Sequence, residues 1–580
     1  MGHPIHLLNL RPRQVQPRTR KPVKVPTGVE TTGALFLVLR RMRAPFIFVI
    51  VTFSFNVAGM MLMPGPVVDG VPQRLTLFDS FYQMAITLTT VGYSEVPYPF
   101  SYAQRMWLTL SIFMLVIAWA YAIGVLLAAL RDRAFQDALS SERFRRQVRR
   151  LKEPFLLVLG YGQTGRMVAL ELDQQRRRIV VVEIQQRRVD SIVTDALTAD
   201  VPALEGDCQN PAVLGLAGLG RDNCAGVLAL TDDEDANLAA VMTVALLRPD
   251  VPVIARCFDP AVQQRMEDFA PAAVINPHDR YGGYLALLLH RPVLYQLLMW
   301  LMDNDQHQLP GLRTGLVEGR WVVCGAGEFA EQVIADLRAS GLEVDQIAPT
   351  DDRPELDDAV GFVAGTDNDM LNIALAEGAR LANPDAFVSV RQQDSMHRSL
   401  MMALDVDSVF IPTELVAREV LARIVHPNFW RFIEEAVQQD EAWAVRTRDR
   451  LVERCGTQVP QRDVITLSVD EAPAVTQWLE SHELTIGDLL RDPDDRCRPL
   501  PLVTLLMVRN TELIMTPDDD TQLCVGDQLL LAGKNDGLVE LSAALFYPTT
   551  LEYVATARVA PSTWVWRVMT QRRRAGTSVG

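Results

Sequence analysis

The residues of this chain best suited to chemistry are three glycines and one carboxylate. Positions 160–165 are Gly160, Tyr161, Gly162, Gln163, Thr164 and Gly165, directly after the apolar run 155–159, and a helix is expected to open near Arg166. A strand, a glycine turn and a helix in that order make a phosphate cradle. Glycine lets the backbone approach a pyrophosphate, and the free amides and dipole at the helix start favour an anion. Glu183 ends the next apolar run. The step from Gly165 to Glu183 is close to the spacing of a carboxylate that accepts from ribose hydroxyls. Such an acid also repels a 2′-phosphate, so NAD or an adenine nucleotide is expected in preference to NADP, although Arg187 and Arg188 weaken that exclusion. The same residues are compatible with a Rossmann unit whose cleft is empty.

Further apolar strands are expected at 226–230 and 251–255, which places the loop in a parallel α/β unit. The unit resembles the RCK or KTN domain, the regulator of potassium conductance, at Gly206 and Asp207, at the acidic run from Thr231 to Asn237, and at Arg256. The resemblance implies a nucleotide cleft lined by Gly160, Tyr161, Gly162, Gln163, Thr164, Gly165, Arg166, Glu183, Ile184, Asp207, Cys208, Thr231, Asp232, Asn237 and Arg256. The acids at 232–235 also fit a solvated turn. A second copy follows. Residues 320–330 echo the first glycine loop, and the step from Asn237 to Asn372 equals the step from Arg256 to Arg391. The step from Gly160 to Gly325 is longer than either, so the second copy has lost a stretch between its glycine loop and Asn372. The loss is expected to fall on the ribose acid and on the counterpart of Gly206 and Asp207. With Ala330 replacing the third glycine and Glu328 facing any phosphate, the second copy is expected to be structural or differently liganded. Strands expected at 501–509 and 526–533 resemble the C-terminal lobe of the same domain.

Two stretches, 44–63 and 106–130, are long and apolar enough to cross a bilayer. Arginine and lysine crowd residues 1–43 and 131–152, so both termini are expected in the cytoplasm. No signal peptide is expected, because positions 1–30 lack an apolar core. Residues 34–39 fit either an interfacial helix or a simple basic anchor. Between the spans, 78–88 has helical character, with Asp79 or Ser80 as N-cap. It is too apolar for a solvated loop, and a short helix re-entering the membrane explains it.

Directly after it come Thr89, Thr90, Val91, Gly92, Tyr93 and Ser94, a string that resembles the TVGYG selectivity filter of potassium channels. The resemblance implies an extended backbone whose carbonyl rings, from four chains, replace the hydration shell of potassium at Thr90, Val91, Gly92 and Tyr93. The Thr90 hydroxyl would form the innermost ring, Gly92 would take a conformation closed to other residues, and Val91 and Tyr93 would pack outward. Ser94 stands where the family has its last glycine, and Ile86 stands where some channels carry an acid, so Glu95 has no carboxyl partner there. Gly124, the only glycine of the second span, fits a hinge, a packing point or neither.

The 580 residues carry a net charge of −15, which argues against a nucleic-acid partner. Seven cysteines form no CxxC pair and fit reduced cytosolic thiols. Acids at Asp303/Asp305, Asp351/Asp352, Asp492/Asp494/Asp495 and Asp518–Asp520 have oxygen ligands suited to calcium, but solvated turns fit them better and no divalent site is assigned. The expected fold is a membrane α-helical tetrameric pore, two spans with a re-entrant pore helix, fused to α/β Rossmann-like RCK domains. Its parts are a basic N-terminus (1–43), pore domain (44–130, pore helix and filter 78–94), linker (131–153), first RCK domain (154–310), second Rossmann-like lobe (311–425), C-terminal lobe (426–545) and extension (546–580). The expected function is a potassium channel gated by NAD or an adenine nucleotide. It is not an enzyme, and works as a homotetramer with eight RCK domains in a ring, in the lipid bilayer of the inner (plasma) membrane. Alternatives are a poorly selective cation channel, prompted by Ser94, a regulatory subunit of a separate transporter, and a membrane-tethered NAD oxidoreductase. The last lacks a histidine near the first glycine loop.

Overall fold

The computed structural model describes residues 25–26, 34–68, 71–92, 95–131, 133–302, 308–349 and 356–558. Tyr93, Ser94, the acids at 303, 305, 351 and 352, and residues 559–580 lie outside the described residues. Among the described residues, two helices are long and apolar enough to cross a membrane. The first runs unbroken from Ala34 to Leu62, so residues 34–39 continue into the span and do not form a separate interfacial helix. The second, Tyr102–Leu130, starts ahead of the expected Met106 because Ser101 and Gln104 form a capping box there. It passes through Gly124 without a break, and a side chain at that point would meet open space. The close contact is at Gly59 instead. A Cβ there would lie 1.9 Å from the Trp107 ring, whose Nε1 donates to the Asn56 carbonyl at 3.1 Å.

The short helix between them spans Leu77–Leu88. Its N-cap is Thr76, not Asp79 or Ser80. The Asp79 N–H donates to Thr76 Oγ1 at 3.2 Å while the Asp79 carboxylate accepts from the Thr76 N–H, so Asp79 is the third residue of the box. The linker expected at 131–153 is mostly one helix, Arg133–Arg150. The run holds no glycine or proline and is rich in good helix formers. Phe144 and Val148 bury one side of this helix in the first α/β unit, together with Val25 from ahead of the first span.

The first unit has six parallel strands in the order Ala203–Glu205, Arg178–Glu183, Phe155–Leu159, Cys224–Ala229, Val253–Arg256, Ala273–Ile275. This is the doubly wound 3-2-1-4-5-6 arrangement, whose crevice lies beyond the strand carboxyl ends. The second unit orders Glu343–Ile347, Arg320–Cys324, Ala359–Ala364, Phe387–Arg391 and Ser408–Phe410. Register corrects where its deletion falls. The Gly160 N–H donates to the Val182 carbonyl and the Gly325 N–H to that of Ile347. The acid-bearing strand is therefore kept, with Ala348 in the place of Glu183, and among the described residues it is the third strand that has no counterpart.

The two units exchange helices. Pro277–His290 leaves the first sheet and packs on Glu328–Ala339 of the second, while Pro412–Val425 leaves the second and packs on Gln163–Gln174 of the first. Where the crossing helices meet, Arg280 Nε donates to Glu419 Oε2 at 3.0 Å, both side chains being almost fully buried. A four-stranded antiparallel sheet, Gln461–Thr466, Gln528–Gly533, Leu502–Arg509 and Glu512–Met515 in that order, packs on Pro292–Met302 and Pro427–Ala436, and the helices Asn535–Phe546 and Pro548–Thr556 follow it.

Candidate functional site

The glycine loop leaves the strand Phe155–Leu159 and enters the helix Gln163–Gln174, whose N-cap is Gly162. No side chain caps this helix and no acid lies in its first turn, so its leading amides are open to an anion. Gly165 must be glycine, because a Cβ there would lie 2.0 Å from the Gly160 carbonyl oxygen. The second loop differs at this point. Its helix carries Glu328 and Glu331 in the first turn, and Gly327 takes a φ of 104° where Gly162 has −74°.

Glu183 is placed under the loop and not at its open lip. It is 2 % exposed, and its carboxylate accepts from the Tyr161 N–H at 2.6 Å and the Gln185 N–H at 2.9 Å. Arg188 reaches over the loop, 3.7 Å from Glu183 and 3.8 Å from Asp232. Ile184 is exposed at the lip, Asp207 is exposed, and Cys208 is buried beside it, its thiol pushed up to about 11 by burial and by the charge of Asp207. Arg256 ends its strand inside the cleft, donating to Asp232 at 2.8 Å and to Thr164 Oγ1 at 3.2 Å.

Three expected lining residues have other roles. Asn237 is 1 % exposed, and its amide is spent on the Thr231 N–H, hydroxyl and carbonyl and on the Arg256 carbonyl, so it fastens the cleft from beneath. The Tyr161 hydroxyl donates to Asp195 at 2.8 Å, and Arg166 forks onto the same carboxylate. Burial opposes the Asp195 charge, yet these donors hold the carboxyl below its usual range. Asp195 was not legible in the sequence, because it lies outside every motif and meets the loop only through folding.

The second unit repeats the fastening without the cradle. Asn372 binds Thr366 and the Arg391 carbonyl as Asn237 binds its own partners, and Arg391 pairs with Asp367 at 2.6 Å. Aromatic contacts join the two clefts. Arg256 lies over Phe258, Phe258 meets His278 at 4.9 Å, His278 meets Phe329 at 5.4 Å, and Arg391 lies over Phe329. Burial and the Arg391 charge push His278 down to about 4, so it is neutral at physiological pH.

The string after the short helix differs from the expected extended segment. Thr90 and Gly92 both take positive φ, 59° and 63°, on either side of Val91. The Thr90 conformation closes the short helix, the Thr90 N–H donating back to the Thr87 carbonyl at 3.1 Å. The Val91 N–H donates back to the Ile86 carbonyl at 3.0 Å, and the Thr90 hydroxyl donates to the Thr89 carbonyl at 2.7 Å. Val91 is 64 % exposed, so it does not pack outward against the short helix of its own chain.

Among the described residues no group of three histidine, cysteine, aspartate or glutamate side chains could hold a metal. Asp492 and Asp495 instead accept from turn amides, and Asp519 pairs with Arg450 and Arg454. All seven cysteines are free.

Residues 156–277 match the TrkA-N domain family. A Trk system potassium uptake protein TrkA homolog of Pyrococcus horikoshii is 26% identical over 150 residues, 25% of this chain and 64% of that protein. The voltage-gated potassium channel Kch of Escherichia coli is 20% identical over 237 residues, 41% of this chain and 55% of that protein. The chain thus spans less than two thirds of either relative. A solved structure of the GsuK channel bound to NAD superposes with a TM-score of 0.41 at 13% identity, over 88% of this chain and all of that one. Residues 156–277 thus match the TrkA-N domain family, and the chain that carries them, with two helices of membrane length ahead, is similar over part of its length to a Trk potassium uptake protein and to a potassium channel.

Proposed function

We propose that this chain is one quarter of a potassium channel of the inner membrane, opened or closed by an adenine nucleotide, NAD foremost, in the first TrkA-N unit. The observation that carries the reading is the string from Thr89 to Ser94, set after a capped short helix and between two membrane-length helices. Four chains would bring four such strings together around an axis, and rings of backbone carbonyls suit a dehydrated cation. Both termini are cytoplasmic in this reading, because the basic flanks lie outside the apolar parts of both helices. No residue here is catalytic. The first cleft binds, and its open helix start, its three glycines and Arg188 and Arg256 suit a pyrophosphate. Glu183 meets the ribose only if its carboxylate shares its remaining lone pairs with the sugar hydroxyls.

The test is a reversal potential. Full-length protein in planar bilayers should reverse at a voltage that follows the potassium gradient. Equal permeability to sodium and potassium would favour a weakly selective cation channel, the reading prompted by Ser94.

A further inference from the structure

Each crossing helix, with the helix that follows it, leans over the sheet of the other unit, and a cavity lies under each pair. The cavity on the second sheet holds about 620 Å³, and its arginines are matched. Arg313 pairs with Asp407, and Arg398 and Arg418 pair with Glu414 at 3.2 Å and 2.5 Å. The cavity on the first sheet, about 460 Å³, is not balanced. Its charged lining is Arg177, Arg178, Arg423 and Arg431 against Glu434 alone. Glu153 holds Arg178 at 2.6 Å, and Glu419 holds Arg423 at 3.0 Å. Arg177 and Arg431 are exposed, and among the described residues neither pairs with a carboxylate. Arg431 reaches only the amide oxygen of Asn428, at 3.5 Å.

The rest of this lining is apolar, with Leu156, Ile254 and Ile424 in its walls and small side chains at Ala225 and Ala272 leaving the space open. No serine, threonine, asparagine, glutamine, histidine or tyrosine lines it. Its tryptophan, Trp430, lies under Arg423 at 4.5 Å and donates its Nε1–H to Glu434 at 2.7 Å. A base or a sugar placed here would bury hydrogen-bonding groups with no free side chain to meet them, which is unfavourable. The volume falls in the ~300–1,000 Å³ range of small-molecule sites. We propose that the cavity binds an anionic amphiphile, its acyl chain on the apolar floor and its carboxylate or phosphate head on Arg177 and Arg431. The site is distinct from the nucleotide cleft. Phe155 and Pro252 bring it to the starts of two strands whose carboxyl ends carry that cleft. Pro154 in its wall stands just beyond the helix Arg133–Arg150, so a bound chain would sit between the first sheet and the second crossing helix where that helix joins the sheet.

The experiment uses full-length protein in phosphatidylcholine nanodiscs and a dodecanoate that carries a diazirine on its chain. After illumination, mass spectrometry should find the label on peptides containing 225–228 and 423–434, and unmodified dodecanoate should compete it away. Dodecanol and dodecyltrimethylammonium, of the same chain length, should compete at least about tenfold less well. Arg177→Gln with Arg431→Gln should lower this labelling at least about fivefold, while labelling of Tyr102–Leu130 and elution on gel filtration stay unchanged. Ala225→Phe, which fills the floor, should lower it with both arginines in place. No label on these peptides overturns the proposal. So does competition by dodecanol equal to that by dodecanoate, or full labelling of the assembled double variant. If the double variant does not assemble, the competition series decides. Discs in which phosphatidylglycerol replaces part of the phosphatidylcholine separate two sources of the same chemistry. Loss of label there assigns the site to a bilayer lipid, and label retained there but displaced by dodecanoate assigns it to a free acid.

Discussion

At the residue scale, the two glycine loops differ in ways that side-chain size can test. Gly165→Ala would push a Cβ to 2.0 Å from a backbone oxygen that cannot move aside, so it should cost about 1–3 kcal/mol of stability and abolish nucleotide binding. Ala330→Gly, its mirror in the second loop, should cost about 1 kcal/mol and leave nucleotide binding unchanged. Titration calorimetry of the purified full-length protein checks both, with one nucleotide per chain expected in the wild type. Much of this cleft was legible, because the spacing of glycines and acid encodes a turn and a strand end that local sequence largely determines. The direction of the Glu183 carboxylate was not, since it depends on which amides, those of Tyr161 and Gln185, reach it once the strand is in place. The same holds for Asn237, expected at the ligand. Its identity was visible, but its use of every donor and acceptor on neighbouring backbone was not.

At the scale of elements, Asp336 sits on the helix Glu328–Ala339 where it meets the first crossing helix, its carboxylate lying over Gly282. Burial, opposed by the Gln332 donor and helped by the charge of Asp279, raises it from 3.8 to about 6. An acid raised in the folded state adds stability that is complete below pH 3.8 and lost as the pH climbs through about 6. Asp336→Asn should therefore raise the melting midpoint at pH 7.5, by the equivalent of about 2 kcal/mol, and change it little at pH 4. Thermal scans at the two pH values decide it, and an equal shift at both would show that charge burial is not the cause. The second element with a measurable role is the helix Arg133–Arg150. Its 18 residues make a strut of about 27 Å, which in the proposed channel could pass on rotation and thrust as an extended chain would not. A flexible glycine-serine insert after Arg150 should weaken the response of open probability to NAD while leaving nucleotide affinity and selectivity intact. Single-channel recording with and without NAD measures this. An unchanged response would place the coupling elsewhere, and the buried Val25, which ties the residues ahead of the first span to the same unit, is the next candidate. The strut was hard to see in the sequence because charged residues dominate the run and only the apolar pair Phe144 and Val148, one helical turn apart, marks a buried side.

At the scale of the whole molecule, the repeat was visible in the equal offsets that relate Asn237 to Asn372 and Arg256 to Arg391, yet the arrangement of the copies was not. Contacts as distant in sequence as that of Arg280 with Glu419 leave no trace in local pattern. In the proposed channel a nucleotide would shift the pore only by binding its open and closed forms unequally, and an opened pore would then change nucleotide affinity by the same factor. The exchange of crossing helices also bears on the history and handling of the chain. A duplicated gene usually yields two beads that can melt, be cut apart or be lost one at a time. Here each bead keeps part of its neighbour's core. Residues 154–310 made alone would leave bare the surface that Val416, Ala417 and Val420 cover, and 311–425 alone would lack Tyr281, Leu285 and Leu289. The pair should therefore melt in a single transition, which differential scanning calorimetry of the full-length protein checks.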